Sequence, residues 1–369
     1  MQRLLHWMKT EPMLLAAGAA AAFSCLFVPP SADYLGYLDW RVLALLFSLM
    51  VTVAGLRQAG LFGRLARGLC TRVKTSRGLC FVLVMLCFFS SMLVTNDVAL
   101  LTFVPFSVLV LVLTGHKQLL VWVVVLQTVA ANLGSMLTPL GNPQNLYLYT
   151  FYNMTAPEFL SVTAPATLVC LAVTAGLCLL TPARPTAVEL DGEADPLNHR
   201  LLWLCLSMFA VCLLCVLRLI DWPLMLVLVV VITLAARPTL LRQADYALLL
   251  TFVFFFIFVG NLGRIPAAAA WLQGLVQGRE LVCGALASQV ISNVPAAVLL
   301  SGFTDKAAPL LLGVDLGGLG TPVASLASLI SLKIYARTPG ESTGRFLKVF
   351  LPVNFGLLAV LLAGAMLVM

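Results

Sequence analysis

The chain has 369 residues, of which 61% are hydrophobic and only 10% are charged. Soluble domains carry about 25% charged residues, so this composition excludes a water-soluble protein and predicts one that is surrounded by membrane lipid. The formal net charge is +7, but the basic residues lie in a few loops rather than in a stripe interleaved with aromatic residues. That distribution argues against a nucleic-acid partner and makes the charges a guide to membrane topology.

Apolar runs long enough to cross a bilayer define most of the predicted elements, since a spanning helix needs about 20 residues. The first run, within residues 1–38, is interpreted as an extra N-terminal helix that is not cleaved as a signal peptide. The other clear runs, in chain order, are 39–56, 118–150, 159–180, 200–219, 222–236, 245–261, 309–335 and 346–368. Two more apolar segments, 79–114 and 280–303, are each interrupted near the middle by a polar cluster.

Basic loops orient these runs. The loop 57–77 carries six Lys and Arg residues and no acid, which predicts that it is cytoplasmic. Counting spans from that loop places the N-terminus in the cytoplasm as well, and the predicted location is the inner (plasma) membrane of a prokaryote. Each interrupted segment either returns to the side of the membrane that it came from or crosses the membrane twice. In both cases the loops that follow keep the side that the span count gives them. The count also makes loop 181–200 cytoplasmic, although it contains four acids, Glu189, Asp191, Glu193 and Asp195.

The chain contains an internal repeat. TNDVALLTFVPF (95–106) is echoed by SNVPAAVLLSGF (292–303), and NLGSMLTPLGNPQN (132–145) by DLGGLGTPVASLAS (315–328), in the same order. The span count gives the two copies opposite orientations, and inverted repeats with interrupted helices are typical of secondary transporters. The predicted organisation is therefore an extra helix (1–38), repeat 1 (39–180), a cytoplasmic loop with linking helices (181–244), and inverted repeat 2 with a C-terminal helix (245–369).

The second pair of motifs, 132–145 and 315–328, lies within the two long runs 118–150 and 309–335. Clusters of glycine and proline in these motifs predict that each run unwinds into two half-helices. Non-helical backbone at membrane depth occurs only where protein or a water-filled cavity covers it, so these breaks predict a binding site. The candidate residues for a coupling ion or a substrate lie at the breaks and at the polar interruptions. They are Thr95, Asn96, Asp97, Asn132, Gly134, Ser135, Thr138, Gly141, Asn142 and Asn145 in repeat 1, and Ser292, Asn293, Asp315, Gly317, Thr321 and Ser325 in repeat 2.

Asp97 is the most informative of these residues, because a carboxylate inside a membrane is costly unless it is paired, protonated or bound to an ion. Lys117 is the only Lys or Arg between Arg77 and Arg184, so no fixed cation neutralises Asp97. We therefore expect a mobile partner, either a proton or a sodium ion held near Asn96 and Asp97, and no other cofactor. A bound anion would then be held by amides, hydroxyls and backbone N–H groups.

Two structural alternatives stand beside these interpretations. Asp97 can instead be the N-cap of a helix that starts at Val98, a position that Asp favours. The Gly and Pro clusters can instead be packing kinks within continuous helices. The duplication of the Gly and Pro clusters in the second repeat argues against the kinks.

Together, three motifs resemble the ion transporter superfamily of arsenite-efflux subunits, citrate carriers and divalent-anion/sodium symporters. They are TNDVALLTFVPF, the TPLGNPQN core of 138–145, and VDLGGLGTPVASLASL. The resemblance implies an all-α polytopic membrane protein with two re-entrant hairpins and two broken helices, in a transport domain that moves against a scaffold, and a homodimer. This chain departs from the sodium/dicarboxylate members, which have a Ser-Asn-Thr pattern where Asp97 stands. In repeat 2 the segment from hairpin tip to break is also shorter, which predicts a short return arm.

The leading functional hypothesis is an ion-coupled secondary transporter of a small inorganic or organic anion that works by alternating access. A cation/proton antiporter is the first alternative, and an arsenite-efflux carrier is the second, on the resemblance. A channel is a further class, which uncoupled and non-saturating flux would reveal. An enzyme is disfavoured because the spans contain no metal-ligand set, no Ser/His pair and no phosphate-binding loop.

Overall fold

The computed structural model describes residues 12–187 and 197–368, and within them every regular element is helical apart from an isolated bridge between Thr75 and Pro185. The N-terminal charges and the four acids Glu189, Asp191, Glu193 and Asp195 lie outside the described residues. Eight helices of the described chain are long and apolar enough to cross a membrane, which confirms an all-α polytopic membrane protein. They are Trp40–Gln58, Ser76–Val94, Asn96–Leu113, Lys117–Ser135, Ala156–Leu179, His199–Val216, Tyr246–Gly263 and Thr343–Val368.

The helices are numbered here in chain order, and the segments predicted as repeat 1 and repeat 2 each form seven α-helices. The N-terminal segment forms α1 (Pro12–Ser24) and the single turn α2 (Tyr34–Tyr37). Repeat 1 forms α3 (Trp40–Gln58), α4 (Leu61–Cys70), α5 (Ser76–Val94), α6 (Asn96–Leu113), α7 (Leu120–Ser135), α8 (Pro143–Phe151) and α9 (Ala156–Leu179). The linking helices are α10 (His199–Val216) and α11 (Trp222–Ala236). Repeat 2 forms α12 (Tyr246–Gly263), α13 (Pro266–Val276), α14 (Glu280–Ile291), α15 (Asn293–Ser301), α16 (Ala307–Leu316), α17 (Leu326–Ala336) and α18 (Thr343–Val368).

The backbone itself repeats at the positions that the motifs match. Asp39, before α3, has φ −83° and ψ 89°, and Asp245, before α12, has φ −80° and ψ 87°; each side chain caps its helix. Thr95 and Ser292, at the tips of the two hairpins, have φ 76° and 71° with ψ 149° and 156°. Positive φ is uncommon for residues other than glycine, so this match at equivalent positions supports the repeat.

The two helical hairpins, α5–α6 and α14–α15, differ in length. The arms of the first have 19 and 18 residues, whereas those of the second have 12 and 9. The short return arm predicted for repeat 2 is therefore confirmed. At 1.5 Å per residue, the arms of the second hairpin are about 18 and 14 Å long, too short to cross a hydrocarbon core of about 30 Å. The arms of the first hairpin are long enough to cross.

Loop contacts show which loops share a face of the molecule. Ser76, the first residue of α5, donates through its Oγ to the backbone oxygen of Pro182, just after α9, at 2.6 Å. Asn198 N, before α10, donates to Ala59 O at 3.1 Å, at the end of α3. Both described ends of the acidic loop therefore lie against the basic loop that follows α3, as the span count requires. We call this side of the molecule the basic face.

The opposite face carries the other loops. Arg264, just after α12, donates through its Nη2 to Oδ2 of Asp33, which precedes α3, at a distance of 2.8 Å. This hydrogen bond and the charge of the guanidinium hold the pKa of the Asp33 carboxyl below its usual value. Arg218 Nη2, between α10 and α11, donates to Met154 O at 2.9 Å, between α8 and α9. The contacts agree with the topology expected from the sequence.

Candidate functional site

Asn132, near the end of α7, joins the two repeats. Its side chain is only 3% exposed. The amide oxygen accepts hydrogen bonds from Asn96 Nδ2 at 3.1 Å and from Ser325 Oγ at 3.0 Å. The amide nitrogen donates to Gly318 O at 3.3 Å and to Ser328 Oγ at 3.4 Å. One side chain thus connects the tip of the first hairpin to the break of the second repeat.

The tip of the second hairpin borders the same place. A Cβ atom added at Gly318 would lie 3.2 Å from Asn293 Nδ2. Each tip also binds the break of its own repeat through an equivalent bond. Asn96 N donates to Gly141 O at 3.1 Å, and Asn293 N donates to Ala324 O at 2.9 Å. Both tips and both breaks therefore meet in one cluster, centred on Asn132.

Asp315 brings a carboxylate into this cluster. It is 2% exposed, at the end of α16. Its Oδ1 accepts from Asn142 Nδ2 at 3.4 Å and from Gln144 Nε2 at 3.5 Å, while its Oδ2 is buried without a hydrogen-bond partner. Asn142 also donates to Ser135 Oγ at 3.1 Å. A buried carboxylate with two long amide contacts and a free oxygen is a group that needs a proton or a cation.

Asp97 lies beside the cluster rather than at its centre. It is the second residue of α6 and half-buried, and its Oδ1 is buried without a partner. The interpretation of Asp97 as a helix cap before Val98 is wrong. The helix begins two residues earlier, at Asn96, because the positive φ of Thr95 turns the chain directly into it. The Asp97 carboxylate is thus not used in capping.

The Gly and Pro clusters break the helices rather than kink them. Residues 136–142 separate α7 from α8, and residues 317–325 separate α16 from α17. The packing-kink interpretation is therefore wrong. Equivalent hydroxyls fasten each break to its hairpin: Thr138 Oγ1 donates to Met92 O, and Thr321 Oγ1 donates to Gln289 O at 3.0 Å.

Several candidate residues shape the site instead of facing it. A Cβ at Gly134 would lie 2.2 Å from Phe88 O, and one at Gly141 would lie 2.0 Å from Ser135 O. A Cβ at Gly317 would meet backbone and side-chain atoms at 2.8 Å. Asn145 donates through its side chain to Met136 O at 3.3 Å. These residues permit close packing or hold the unwound backbone. Of the predicted set, Asn96, Asn132, Asn293, Asp315 and Ser325 form the centre.

Gln289 is a structural residue that the sequence reasoning missed. Its Nε2 donates to Gly317 O at 2.9 Å and to Leu319 O at 3.0 Å, and its Oε1 accepts from Thr321 N at 2.8 Å. It thereby satisfies three backbone groups of the second break. The available signal was an amide one helical turn before a hairpin tip, in the mostly apolar sequence of α14.

Helix ends give the cluster its electrostatic character. The N-termini of α6, α15 and α17 meet there, and their N-cap residues Thr95, Ser292 and Ser325 make no side-chain cap bond. The C-termini of α7 and α16 end at the same place. N-terminal N–H groups carry partial positive charge and C-terminal carbonyls carry partial negative charge. The cluster thus offers donors to an anion and acceptors to a cation.

The site is closed toward the opposite face. There α8 packs against α3, and α15 packs against α12. Tyr147 OH and Ser301 Oγ lie 2.9 Å apart, and Tyr152 OH donates to Thr304 O at 2.9 Å, which ties α8 to α15. In contrast, α6 and α17, which lead to the basic face, make few contacts with α3 and α12 in the described chain.

The sequence matches the citrate transporter family over residues 4–329, which includes both hairpins and both breaks. The chain belongs to this family. Like other members of the citrate transporter family, it is therefore a multi-pass membrane transporter, as the repeat and the broken helices predict. Its recognition as a member of the ion transporter superfamily is confirmed by the same match and by the relatives below.

Relatives of this citrate transporter family member are also named transporters or membrane proteins. It is 31% identical over 324 residues to the uncharacterized transporter MJ0456 of Methanocaldococcus jannaschii, covering 84% of both chains. It is 31% identical over 336 residues to the inner membrane protein YbiR of Escherichia coli, covering 87% of this chain and 86% of that one. The YdaH transporter of Alcanivorax borkumensis has the same fold, with a TM-score of 0.56 at 16% identity over 90% of this chain and 86% of that one.

Proposed function

We propose that this protein is an ion-coupled secondary transporter of a small anion, and that the cluster around Asn132 is its binding site. The observation that carries the proposal is the meeting of helix ends from both repeats at one buried place, next to two carboxylates with unpartnered oxygens. Discontinuous helices of this kind hold the substrate and the coupling ion in inverted-repeat transporters. The proposed setting is a prokaryotic inner membrane, with the basic face in the cytoplasm.

The donors of the cluster suit an anion. The N-cap residues of three helices make no side-chain cap bond, and Asn96 and Asn293 bring amide N–H groups to the same place. In the described chain, the hydrogen-bond partners of the Asn96, Asn132, Asp315 and Ser325 side chains are amides, hydroxyls and backbone oxygens, with no Lys or Arg among them. Recognition would then depend on dipoles and hydrogen bonds, which are sufficient for an anion at a helix N-terminus.

The carboxylates suit the coupling ion. Asp315 and Asp97 each have one buried oxygen without a partner, and a proton or a sodium ion would satisfy both the charge and the missing contact. Binding of the cation beside the anion also lowers the cost of burying either charge alone. That mutual stabilisation is the physical basis of coupling in this proposal.

A cation/proton antiporter is the second candidate, and a specific observation favours it. Both ionisable side chains described at the cluster are acids, so the cluster can exchange protons for a metal cation without binding any anion. An arsenite-efflux carrier remains the third candidate. The silicon efflux transporter LSI3 of rice, 32% identical over 188 residues that make up 50% of this chain and 37% of that one, adds silicic acid to the substrates worth testing.

The test is a transport assay in inside-out vesicles that hold a fixed pH gradient. Wild type, Asp97→Asn and Asp315→Asn are challenged in turn with sodium and lithium chlorides, and with citrate, sulfate, arsenite and silicic acid. Asp305→Asn, in an exposed loop of the opposite face, is the matched control. We expect one anion to collapse the gradient in wild type and in the control, and both site variants to lose at least about 90% of that response, because each removes an ionisable group that a conservative amide cannot replace.

Each other outcome is informative. If sodium or lithium collapses the pH gradient with any counter-ion, and the site variants lose this response, the protein is a cation/proton antiporter and the anion proposal is overturned. Coupled transport that survives in Asp97→Asn and in Asp315→Asn would contradict the role of both carboxylates.

A further inference from the structure

A cavity of about 580 Å³ opens at the opposite face and shares no lining residue with the cluster around Asn132. Its walls are the start of α14 with the two residues before it, the start of α16, and the end of α18. Two hydrogen bonds place these walls at the opposite face. Tyr152 OH, between α8 and α9, donates to Thr304 O at 2.9 Å, and Thr304 Oγ1 donates to Glu280 Oε1 at 3.0 Å. The volume is in the usual range for a bound small molecule.

Glu280 holds two of the walls together. Its side chain is only 3% exposed, and its Oε1 accepts from Gly278 N and from Thr304 Oγ1, both at 3.0 Å. Thr304 Oγ1 in turn accepts from Lys306 N at 3.2 Å. One buried carboxylate thus joins the segment before α14 to the segment before α16, which are the two ends of the second hairpin. The cavity is therefore built by specific bonds, and the acid in its lining is engaged in them.

Two cations border the cavity. Arg279 and Lys306 both line it, both are exposed, and neither side chain forms an ion pair or a hydrogen bond with another described residue. Asp305 is exposed and does not line the cavity. Leu281 and Val282, in the first turn of α14, also line it, so the N-terminus of this helix borders the same space. Cations and a helix N-terminus together favour an anionic group, above all a phosphate.

The remaining wall is apolar and meets the lipid. Met366, near the end of α18, lines the cavity and is 49% exposed, and the next two residues, Leu367 and Val368, are each 89% exposed. Since α18 is long and apolar enough to cross a membrane, its last turn lies near the end of the hydrocarbon region. A molecule in this cavity therefore meets cations on one side and an apolar helix end on the other. That combination suits an amphiphile better than a free anion.

We propose that this cavity binds a phospholipid of the leaflet at the opposite face, with Arg279 and Lys306 contacting its phosphate and Met366 contacting the glycerol end of its acyl chains. Basic pockets between membrane helices are typical sites for lipid head groups, and guanidinium and ammonium groups are the usual partners of phosphate. The bound lipid joins the base of the second hairpin to α18. The site is separate from the proposed transport site and does not depend on which ion is carried.

The experiment adds defined lipids to the full chain in dodecyl maltoside and follows its thermal unfolding midpoint. Dioleoylphosphatidylglycerol is the phospholipid probe. Dioleoylglycerol, which has the same acyl chains without the phosphate, and sodium phosphate, which has no acyl chain, are the comparison probes. The variants are Arg279→Gln and Lys306→Gln, with Arg279→Lys as the variant that keeps the charge. Arg242→Gln, at an exposed cation in the loop before α12, is the matched control.

We expect the phospholipid to raise the midpoint of the wild type, of Arg242→Gln and of Arg279→Lys over the same range of lipid concentration. Arg279→Gln and Lys306→Gln should each need about fivefold more phospholipid for the half-maximal rise, because each has lost one cation beside the phosphate. Neither dioleoylglycerol nor sodium phosphate should reproduce the rise.

Three results would overturn the proposal. If both Gln variants respond to the phospholipid as Arg242→Gln does, the two cations do not bind it. If dioleoylglycerol raises the midpoint as much as the phospholipid, the phosphate is not recognised. If sodium phosphate alone gives the same rise, and the Gln variants lose that response, the cavity takes a free anion and not a lipid. Transport is not measured, so none of these results bears on the proposed function.

Discussion

At the scale of single residues, the protein concentrates hydrogen bonding on a few buried amides. Asn132 makes four side-chain hydrogen bonds, and Gln289 makes three with the second break and a fourth within α14. An amide has both donors and acceptors, so it can satisfy unwound backbone and neighbouring side chains at once. Such networks contribute most to stability when every donor and acceptor in them has a partner. Substitution of either residue is therefore expected to be costly.

Asn132→Ala should destabilise the protein by about 3 kcal/mol, because Asn96 Nδ2 and Ser325 Oγ lose a common acceptor in a buried place. Ser325→Ala is the comparison variant, since it removes one donor to that amide oxygen and leaves Asn96 Nδ2 bound to it. Unfolding in mixed detergent micelles measures the difference. A loss in Asn132→Ala no greater than in Ser325→Ala would contradict the importance of the shared acceptor.

Gln289→Leu should cost about 2 to 3 kcal/mol of stability, because it leaves carbonyls of Gly317 and Leu319 and the N–H of Thr321 without a partner. Gln273→Leu, on the exposed surface of α13, is the control and should change stability by less than about 0.5 kcal/mol. The same unfolding assay serves both variants. Equal small effects would mean that the second break does not depend on Gln289.

At the scale of elements, the sequence was sufficient to locate the breaks but not the contacts between them. Gly, Pro and polar residues recur in register, so the repeat predicted where α7 and α16 end. Bonds such as Asn132 to Ser325 join residues 193 positions apart and depend on how the repeats pack, which no local pattern encodes. Gln289 was missed because a lone amide in a helix gives no periodic signal. Asp97 was open to interpretation as a cap because boundaries are uncertain by a residue or two from sequence.

Close packing of α7 against α5 gives a prediction for these elements. Gly134→Ala should destabilise the protein by about 1 to 3 kcal/mol, since the added Cβ would lie 2.2 Å from Phe88 O and backbone cannot easily move away. Gly176→Ala in α9 meets nothing within 4 Å and should be neutral or stabilising by up to about 1 kcal/mol. Thermal unfolding in detergent compares them. Equal midpoints would show that α5 and α7 are able to separate at little cost.

At the scale of the whole molecule, contacts between distant loops hold the N-terminal segment and the two repeats together. On the basic face, the loop after α9 binds the first turn of α5. On the opposite face, α1 packs along α12, and Asp33 pairs with Arg264. The segment that precedes the repeat is therefore attached to repeat 2, although it is next to repeat 1 in sequence.

The Asp33–Arg264 pair gives a prediction about pH and salt. Since Arg264 lowers the pKa of Asp33, the pair stabilises the fold above the unfolded-state pKa of about 3.9, and the contribution disappears as pH falls through the lower folded-state pKa. Asp33→Asn should thus lower the unfolding midpoint slightly at neutral pH and low salt, and should match the wild type in high salt, which screens exposed charges. Asp305→Asn, on the same face, is the control. A difference that persists in high salt would show that Asp33 acts through something other than charge.

The bonds between Asn132 in repeat 1 and Ser325 and Gly318 in repeat 2 also mean that neither half assembles the cluster alone. The cluster can therefore form only after both halves have inserted into the membrane, each in its own direction. Charged loops set the direction of insertion, and residues 57–77 carry six cations, against the two arginines between α12 and α14. The loop charges of this chain thus contribute to building a site from which they are themselves remote.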